Sequence, residues 1–161
     1  MDEEKTKHVI KLPIDAFEER VTAEPKIICL EEELKELLYD LKTAVKDKTY
    51  IPQTATSKNL ALSDDYIFDS EDEEEILNDL GTENFVAKIK DLGKGAVKRQ
   101  SKGYPQEYLY VFQYPCRLWK REMSNISNTA ENILIYIKIN NRKIPYQQIF
   151  IISFHKNQPE T

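Results

Sequence analysis

The sequence predicts an α+β protein in which a small antiparallel sheet from the C-terminal half packs against helices from the N-terminal half. Residues 30–47 carry apolar side chains at the spacing of an amphipathic helix. Residues 133–139 and 149–155 are rich in β-branched and aromatic side chains, and a short polar stretch containing Pro145 separates them. Such a pair is typical of two adjacent strands joined by a loop. Because the helices precede the strands, we expect a layered α+β fold.

The length of 161 residues suits one domain with a real core. We expect residues 1–28 to form a polar, irregular arm with a short strand at 8–12, and residues 29–161 to form a single α+β domain. No apolar stretch is long enough to span a membrane, and the acidic start of the chain is unlike a secretory signal. Cys29 and Cys116 are isolated, which favours reduced thiols and a cytoplasmic location.

Helices are predicted at three places in the first half of the chain. The apolar stripe of the first one consists of Leu30, Leu34, Leu37, Leu38, Leu41 and Val45. Residues 56–62 predict a short helix, and residues 49–52 predict a short edge strand before it. The acidic run 69–75 precedes apolar residues and Gly81, a pattern that favours the first turn of a helix over a metal site.

The second half of the chain predicts further elements around the two final strands. Residues 108–112 predict a third strand, and residues 117–121 are either a fourth strand or an extension of the third. Residues 82–85 predict a short turn or helix that leads to Lys88. The segment 92–105 contains three glycines among several cations. It predicts a mobile basic loop, and it lacks the spacing of a P-loop.

Side chains alternate between the two faces of a strand, so burying the apolar face of the final strands defines the other face. The apolar sets are Ile135, Ile137 and Ile139 in one strand and Phe150, Ile152 and Phe154 in the other. The opposite face then carries Tyr136 and Lys138 next to Ser153 and His155. A phenol, an ammonium, a hydroxyl and an imidazole on one surface indicate more than a solvated face.

The net charge of −5 hides an uneven distribution. Residues 1–80 carry ten Lys and Arg against twenty-two Asp and Glu, a net charge of −12. Residues 81–161 carry thirteen against six, a net charge of +7. Clustered cations of this kind bind phosphates. The alternative is that the two halves neutralise each other across the fold.

Several short motifs, together with the trailing Pro159, occur in a particular order and spacing. The motifs are Ser57–Ala61, Glu74–Leu80, Asn84–Phe85, Leu109–Phe112, Ile135–Lys138 and Ile152–His155. In this order they resemble the MqsR-type toxins of bacterial toxin–antitoxin systems, over about residues 33–160. The segment 92–105 and the arm 1–28 have no obvious counterpart in that family.

The resemblance implies the fold of the RelE-like ribonuclease superfamily, a small antiparallel sheet with helices on one side. It also implies metal-independent cleavage of messenger RNA and neutralisation by a cognate antitoxin protein. By the same resemblance, a catalytic tyrosine falls at Tyr136 and a basic residue falls at His155. A lysine that follows an aromatic residue falls near Lys88.

The residue types fit ribonuclease chemistry without a metal or cofactor. RNA carries its own nucleophile, so the enzyme needs a base, an acid and cations around the phosphorane. His155 is the best acid–base candidate because imidazole titrates near neutrality. Tyr136 is its partner if nearby cations lower the tyrosine pKa. Lys138 and Lys88 would hold the phosphate, and Ser153 would hydrogen-bond to it. The expected contacts to single-stranded RNA also include Arg117, Lys120, Arg121 and Tyr110, or Tyr108 in its place.

A second interpretation stays open on the residues alone. A histidine near a chain end is more often an exposed polar residue than a catalyst, and Tyr and Lys on a strand face tolerate water well. The chain would then be a catalytically inactive module that binds RNA or a protein. Its binding surface would be the acidic half, residues 1–80. If the chain is instead an enzyme, the acidic arm 1–28 would cover the basic face and lower its activity.

Overall fold

The computed structural model describes residues 7–17, 27–53, 57–121 and 129–156, with the backbone alone for 57–60. The described chain is α+β, with four helices and a five-stranded antiparallel sheet, which confirms the general fold class. Its elements are β1 (Val9–Lys11), α1 (Glu31–Asp47), α2 (Ser57–Asp65), α3 (Ser70–Asp79), β2 (Phe85–Lys90), α4 (Lys94–Ser101), β3 (Tyr108–Trp119), β4 (Ala130–Arg142) and β5 (Gln148–Lys156). Within these ranges no helix is both long and apolar enough to cross a membrane.

The sheet is built around β3. Strands β3, β4 and β5 form an antiparallel meander, and β1 and β2 both pair with the other edge of β3. Strand β1 pairs with Cys116–Leu118 and β2 with Tyr108–Phe112, one after the other along that edge. Because β3 runs unbroken to Trp119, residues 117–119 extend the third strand and are not a separate one. Part of the predicted N-terminal arm therefore belongs to the sheet, since Val9 is 1% exposed.

Helices α1, α2 and α3 cover one face of the sheet, which we call the helix face. The buried stripe of α1 consists of Leu34, Leu37, Leu38, Leu41, Ala44 and Val45. It packs with Ile76 and Leu77 of α3 against apolar side chains of β3, β4 and β5. Each fully buried leucine or isoleucine contributes roughly 1.5–3 kcal/mol to folding. Leu30 was expected in this stripe, but it is 60% exposed because it precedes the first helical turn.

The acidic run 69–75 begins a helix, as the sequence predicts. The Asp69 side chain accepts hydrogen bonds from the backbone N–H groups of Glu71 and Asp72 at 3.0 and 3.1 Å. The Asp72 carboxylate accepts one from the backbone N–H of Asp69 at 2.9 Å and lies 2.8 Å from His8 Nδ1. The side chains of His8, Asp69 and Asp72 have possible metal-ligand atoms within 4.8 Å of one another. Their contacts form a helix cap and connect the start of β1 to α3.

The segment 92–105 contains helix α4 and is not the predicted mobile loop. Gly93 is the N-cap of α4, and Gly103, with φ +99°, lies just beyond its end. Two of the three glycines therefore mark the boundaries of the helix, where glycine is favourable, and only Gly95 lies inside it. Strand β2 was not predicted at all. The short turn before it, Thr82–Asn84, was predicted.

Three smaller predictions have mixed outcomes. Helix α2 runs three residues past the predicted end at Leu62. The expected edge strand at 49–52 is reduced to one parallel bridge between Ile51 and Phe150. The sequence also predicts a polar connection at residues 124–132; residues 124–128 lie outside the described part of the chain, and residues 130–132 begin β4.

A β-bulge in β5 changes the predicted face of its first half. Lys138 pairs with Ser153, and the next residue, Ile139, pairs with Ile151, so Ile152 has no partner in β4. A bulge of this kind reverses the alternation on one side of the extra residue. Ile151 is accordingly 1% exposed on the helix face, whereas Ile152 is 40% exposed. The prediction that Ile152 is a core residue is wrong, and Phe150 moves to the opposite face.

Candidate functional site

Four of the predicted site residues lie together on the outer face, the face of the sheet opposite α1, α2 and α3. Tyr136 of β4 pairs directly with His155 of β5, and Lys138 pairs with Ser153. The ring centroids of Tyr136 and His155 are 5.7 Å apart, with 36° between the ring planes. Lys138 Nζ is 5.4 Å from the centroid of the Tyr136 ring. We call these four residues the polar quartet.

His155 is the most buried member of the polar quartet. It is 6% exposed, whereas the other three members are of intermediate exposure. Its Nδ1 lies 3.0 Å from the backbone carbonyl oxygen of Lys156. An imidazole nitrogen next to a carbonyl oxygen acts as a donor, so this contact favours the tautomer with the proton on Nδ1. The basic lone pair then lies on Nε2.

Burial raises the pKa of Tyr136 above its ordinary value. Cations were expected to lower it, but Lys138 lies over the face of the ring, and burial prevails. The phenol is therefore neutral over the physiological pH range. A neutral tyrosine donates a hydrogen bond or a proton, and it does not serve as a resting base.

The sequence interpretation missed Gln113, the neighbour of Tyr136 in β3. Gln113, Tyr136 and His155 form one row across three adjacent strands. The Gln113 side chain is completely buried, and neither its Oε1 nor its Nε2 has a hydrogen-bond partner in the described part of the chain. An unsatisfied buried amide costs roughly 1–3 kcal/mol. The signal in the sequence was a single amide inside an otherwise apolar and aromatic strand.

The surroundings of this row are apolar. Val111 of β3, Leu134 of β4 and Ala87 of β2 are buried although they alternate with the residues of the helix face. The outer face is therefore only partly open to solvent. A low-dielectric setting of this kind strengthens hydrogen bonds and charge interactions made within it.

Lys88 and Tyr110 lie on the helix face, away from the polar quartet. They are paired in β2 and β3, and Tyr110 is also paired with the core residue Ile139. Lys88 Nζ is 2.5 Å from Glu33 Oε2 of α1, and the Tyr110 hydroxyl donates to the same oxygen. The prediction that Lys88 shares a site with His155 is wrong, and Tyr110 points away from any RNA on the outer face.

The carboxylate of Glu33 is paired with the ammonium of Lys88 and accepts a hydrogen bond from the hydroxyl of Tyr110. Burial alone would raise the pKa of Glu33, but the hydrogen bonds from Lys88 and Tyr110 outweigh it and lower that pKa. Burial raises the pKa of Tyr110, and the adjacent Glu33 raises it further. Lys88 thus serves to join β2 to α1.

The other predicted RNA contacts lie at the end of β3 remote from Lys138. Arg117 is on the outer face, and its Nε donates to the Asn132 side chain at 2.9 Å. It follows Gln113 by four residues, which is about 13 Å along a strand. Lys120 is exposed just beyond β3, and Arg121 Nε donates to a backbone carbonyl of α2 at 3.1 Å. Roles for these three cations in RNA binding stay predictions.

A comparison with protein-family models, curated proteins and solved structures finds no match. The likeness to MqsR-type toxins therefore rests on the sequence motifs. The fold is compatible with that class only as an α+β protein with an antiparallel sheet, three of whose four described helices lie on one face.

Proposed function

We propose that this protein is a metal-independent endoribonuclease that cleaves single-stranded RNA at the polar quartet. The observation that carries the proposal is the pairing of Tyr136 with His155, whose rings are 5.7 Å apart beside Lys138. An acid–base group, a proton donor and a cation on one surface are what transesterification of RNA needs. The resemblance to MqsR-type toxins adds a RelE-like fold, messenger RNA as the substrate and a cognate antitoxin as the neutralising partner.

The roles follow from the protonation states of the two rings. His155 takes the proton of the 2′-hydroxyl through Nε2 as the 2′-oxygen attacks phosphorus. The 5′-oxygen leaves and receives the phenolic proton of Tyr136. A leaving alkoxide is a far stronger base than a phenolate, so the raised pKa of Tyr136 does not prevent this transfer. The imidazolium then returns a proton to the phenolate, which restores both groups.

Lys138 and Ser153 complete the site in this proposal. The ammonium of Lys138 balances the charge that develops on the phosphorane, and the hydroxyl of Ser153, directly opposite in β5, donates a hydrogen bond to it. Charge stabilisation of this kind is strong where water is excluded. Gln113 lies within the same row, but its amide makes no hydrogen bond to Tyr136 or to another described residue, so we assign it no step.

Cleavage in the presence of a chelator tests the proposal. We expect the purified protein to cut single-stranded RNA in EDTA and to leave 2′,3′-cyclic phosphate ends, because the side chains replace a metal at each step. RNA with 2′-O-methyl groups is the matched control and should stay intact, since it lacks the nucleophile. Mass spectrometry of the fragments measures both. Intact RNA, or cleavage that EDTA abolishes, would refute the proposal.

A second candidate is a module that binds RNA or a protein without cleaving RNA. The observation that favours it is the 6% exposure of His155, which restricts the approach of a phosphodiester to the imidazole. The same experiment separates the two candidates. RNA that is bound by the protein but recovered intact would favour the binding module.

A further inference from the structure

Helix α4 and its flanks carry lysines that the fold does not use. Lys94, Lys98 and Lys102 are all exposed, and none forms an ion pair with another described residue. We call these three residues the α4 lysines. They contrast with Lys88 and with other cations of the basic half, which pair with carboxylates. Those pairs are Lys88 with Glu33, Lys143 with Glu36 and Asp40, and Arg99 and Arg142 with Glu107.

The neutralisation between the two halves that the sequence suggests therefore holds for only part of the basic half. Lys88 and Lys143 join the basic half to acidic residues of α1, which is neutralisation across the fold. The α4 lysines are left with an uncompensated positive charge. Lys94 occupies the first position of α4, where the helix dipole disfavours a cation. Lys94 and Lys98 also stand four residues apart, a spacing at which like charges repel.

Helix α4 is fixed to the outer face by a buried polar network. Asn140 of β4 is 2% exposed and donates to Asp91 at 2.8 Å and to Glu107 at 2.9 Å. Glu107 also accepts from Arg99 of α4 at 2.6 Å and from Arg142 of β4 at 3.1 Å. Burial would raise the pKa of Glu107, but these bonds outweigh it and lower that pKa. The network holds the helix in one position relative to the sheet.

This network borders the polar quartet. Asn140 follows Lys138 by two residues on the same face of β4, which is about 7 Å along the strand. The outer face thus continues from His155 and Tyr136, through Lys138, to the anchor of α4. The helix that carries Lys94 and Lys98 is thus anchored on the same face of the sheet as Lys138.

We propose that the α4 lysines bind the backbone phosphates of the single-stranded RNA that the polar quartet cleaves; this inference rests on the proposed function. Lysine binds phosphate as a flexible point charge, so these contacts do not depend on the base sequence of the RNA. An anionic membrane is the less suitable partner, because α4 has eight residues and carries one exposed large apolar side chain, Val97, with a second, Leu92, just before it. A membrane-bound helix needs a broad apolar face.

The test measures the affinity of the full-length protein for a labelled 2′-O-methyl RNA, which binds without being cleaved. In the double variant Lys94→Gln/Lys98→Gln we expect affinity to fall about tenfold at low salt. The slope of log K against log salt should decrease by about 0.7 for each lysine removed. Fluorescence anisotropy over a salt series gives both values. The matched control is Lys42→Gln/Lys46→Gln, which removes two exposed lysines with the same spacing from α1.

The outcomes separate this inference from the proposed nuclease. A wild-type salt slope in the α4 variant, or an equal loss in the α1 control, would overturn the inference. So would a variant that loses binding to phosphatidylserine vesicles but keeps its affinity for RNA. Because the probe cannot be cut, a protein that binds it through α4 but leaves ordinary RNA intact supports the inference and refutes the nuclease.

Discussion

Replacing His155 with alanine should lower the rate of RNA cleavage by about 10²–10⁴-fold, which is the range for loss of a general acid or base. The imidazole is the only group of the polar quartet with an ordinary pKa near neutrality, so no neighbour can take over the 2′-hydroxyl proton. Single-turnover cleavage, with the protein in excess of both the RNA and the dissociation constant, measures the effect on chemistry and not on binding. We expect the affinity for uncleavable RNA to change little.

His8→Ala is the matched control for that variant. His8 is the only other histidine of the chain, and it contacts Asp72 at the cap of α3, away from the outer face. The His8→Ala variant should cleave RNA at the wild-type rate. Urea unfolding of both variants separates lost activity from lost structure, since His155 is buried. An active and folded His155→Ala protein would contradict the assignment of the base.

Replacing Ile151 with alanine should reduce the free energy of unfolding by about 2–5 kcal/mol, whereas Ile152→Ala should reduce it by less than about 1 kcal/mol. The two residues are identical in type and adjacent in β5, but they are 1% and 40% exposed. Truncating Ile151 removes buried methyl groups and leaves a cavity against the helix face. Truncating Ile152 removes atoms that already contact water.

Urea denaturation of the two variants measures this difference. The difference in stability depends on the β-bulge at Ile152 of β5, opposite Lys138 and Ile139 of β4. Strict alternation along β5 would bury Ile152 together with Phe154. Equal destabilisation, or a larger effect for Ile152→Ala, would show that β5 has no bulge. The placement of Phe150 on the outer face would then be wrong as well.

The sequence predicts those elements whose signal is local and repeated. Helix α1 has a stripe of leucines over several turns, and β4 alternates from Ile135 to Ile139, so their buried faces can be read from spacing alone. Tyr136 and Lys138 share a face for that reason. Ser153 and His155 fall beside them because both lie on the C-terminal side of the bulge.

The remaining features depend on contacts that spacing does not encode. The position of Lys88 depends on β2, a six-residue strand with an irregularity at Val86, and on Glu33, fifty-five residues earlier in the chain. The glycines around α4 suggested a loop because turn and helix-cap residues look alike in a sequence. The burial of His155 and Gln113 depends on tertiary packing, which periodicity does not report.

We propose that RNA contacts the outer face at Tyr136 and His155. The most direct measurement is a nuclear magnetic resonance titration with uncleavable 2′-O-methyl RNA, following the ring protons of the histidines and tyrosines. Under the proposed function we expect shifts at His155 and Tyr136, with the signals of His8 and Tyr110 unchanged. Shifts at His8 or Tyr110, with His155 and Tyr136 unaffected, would contradict it.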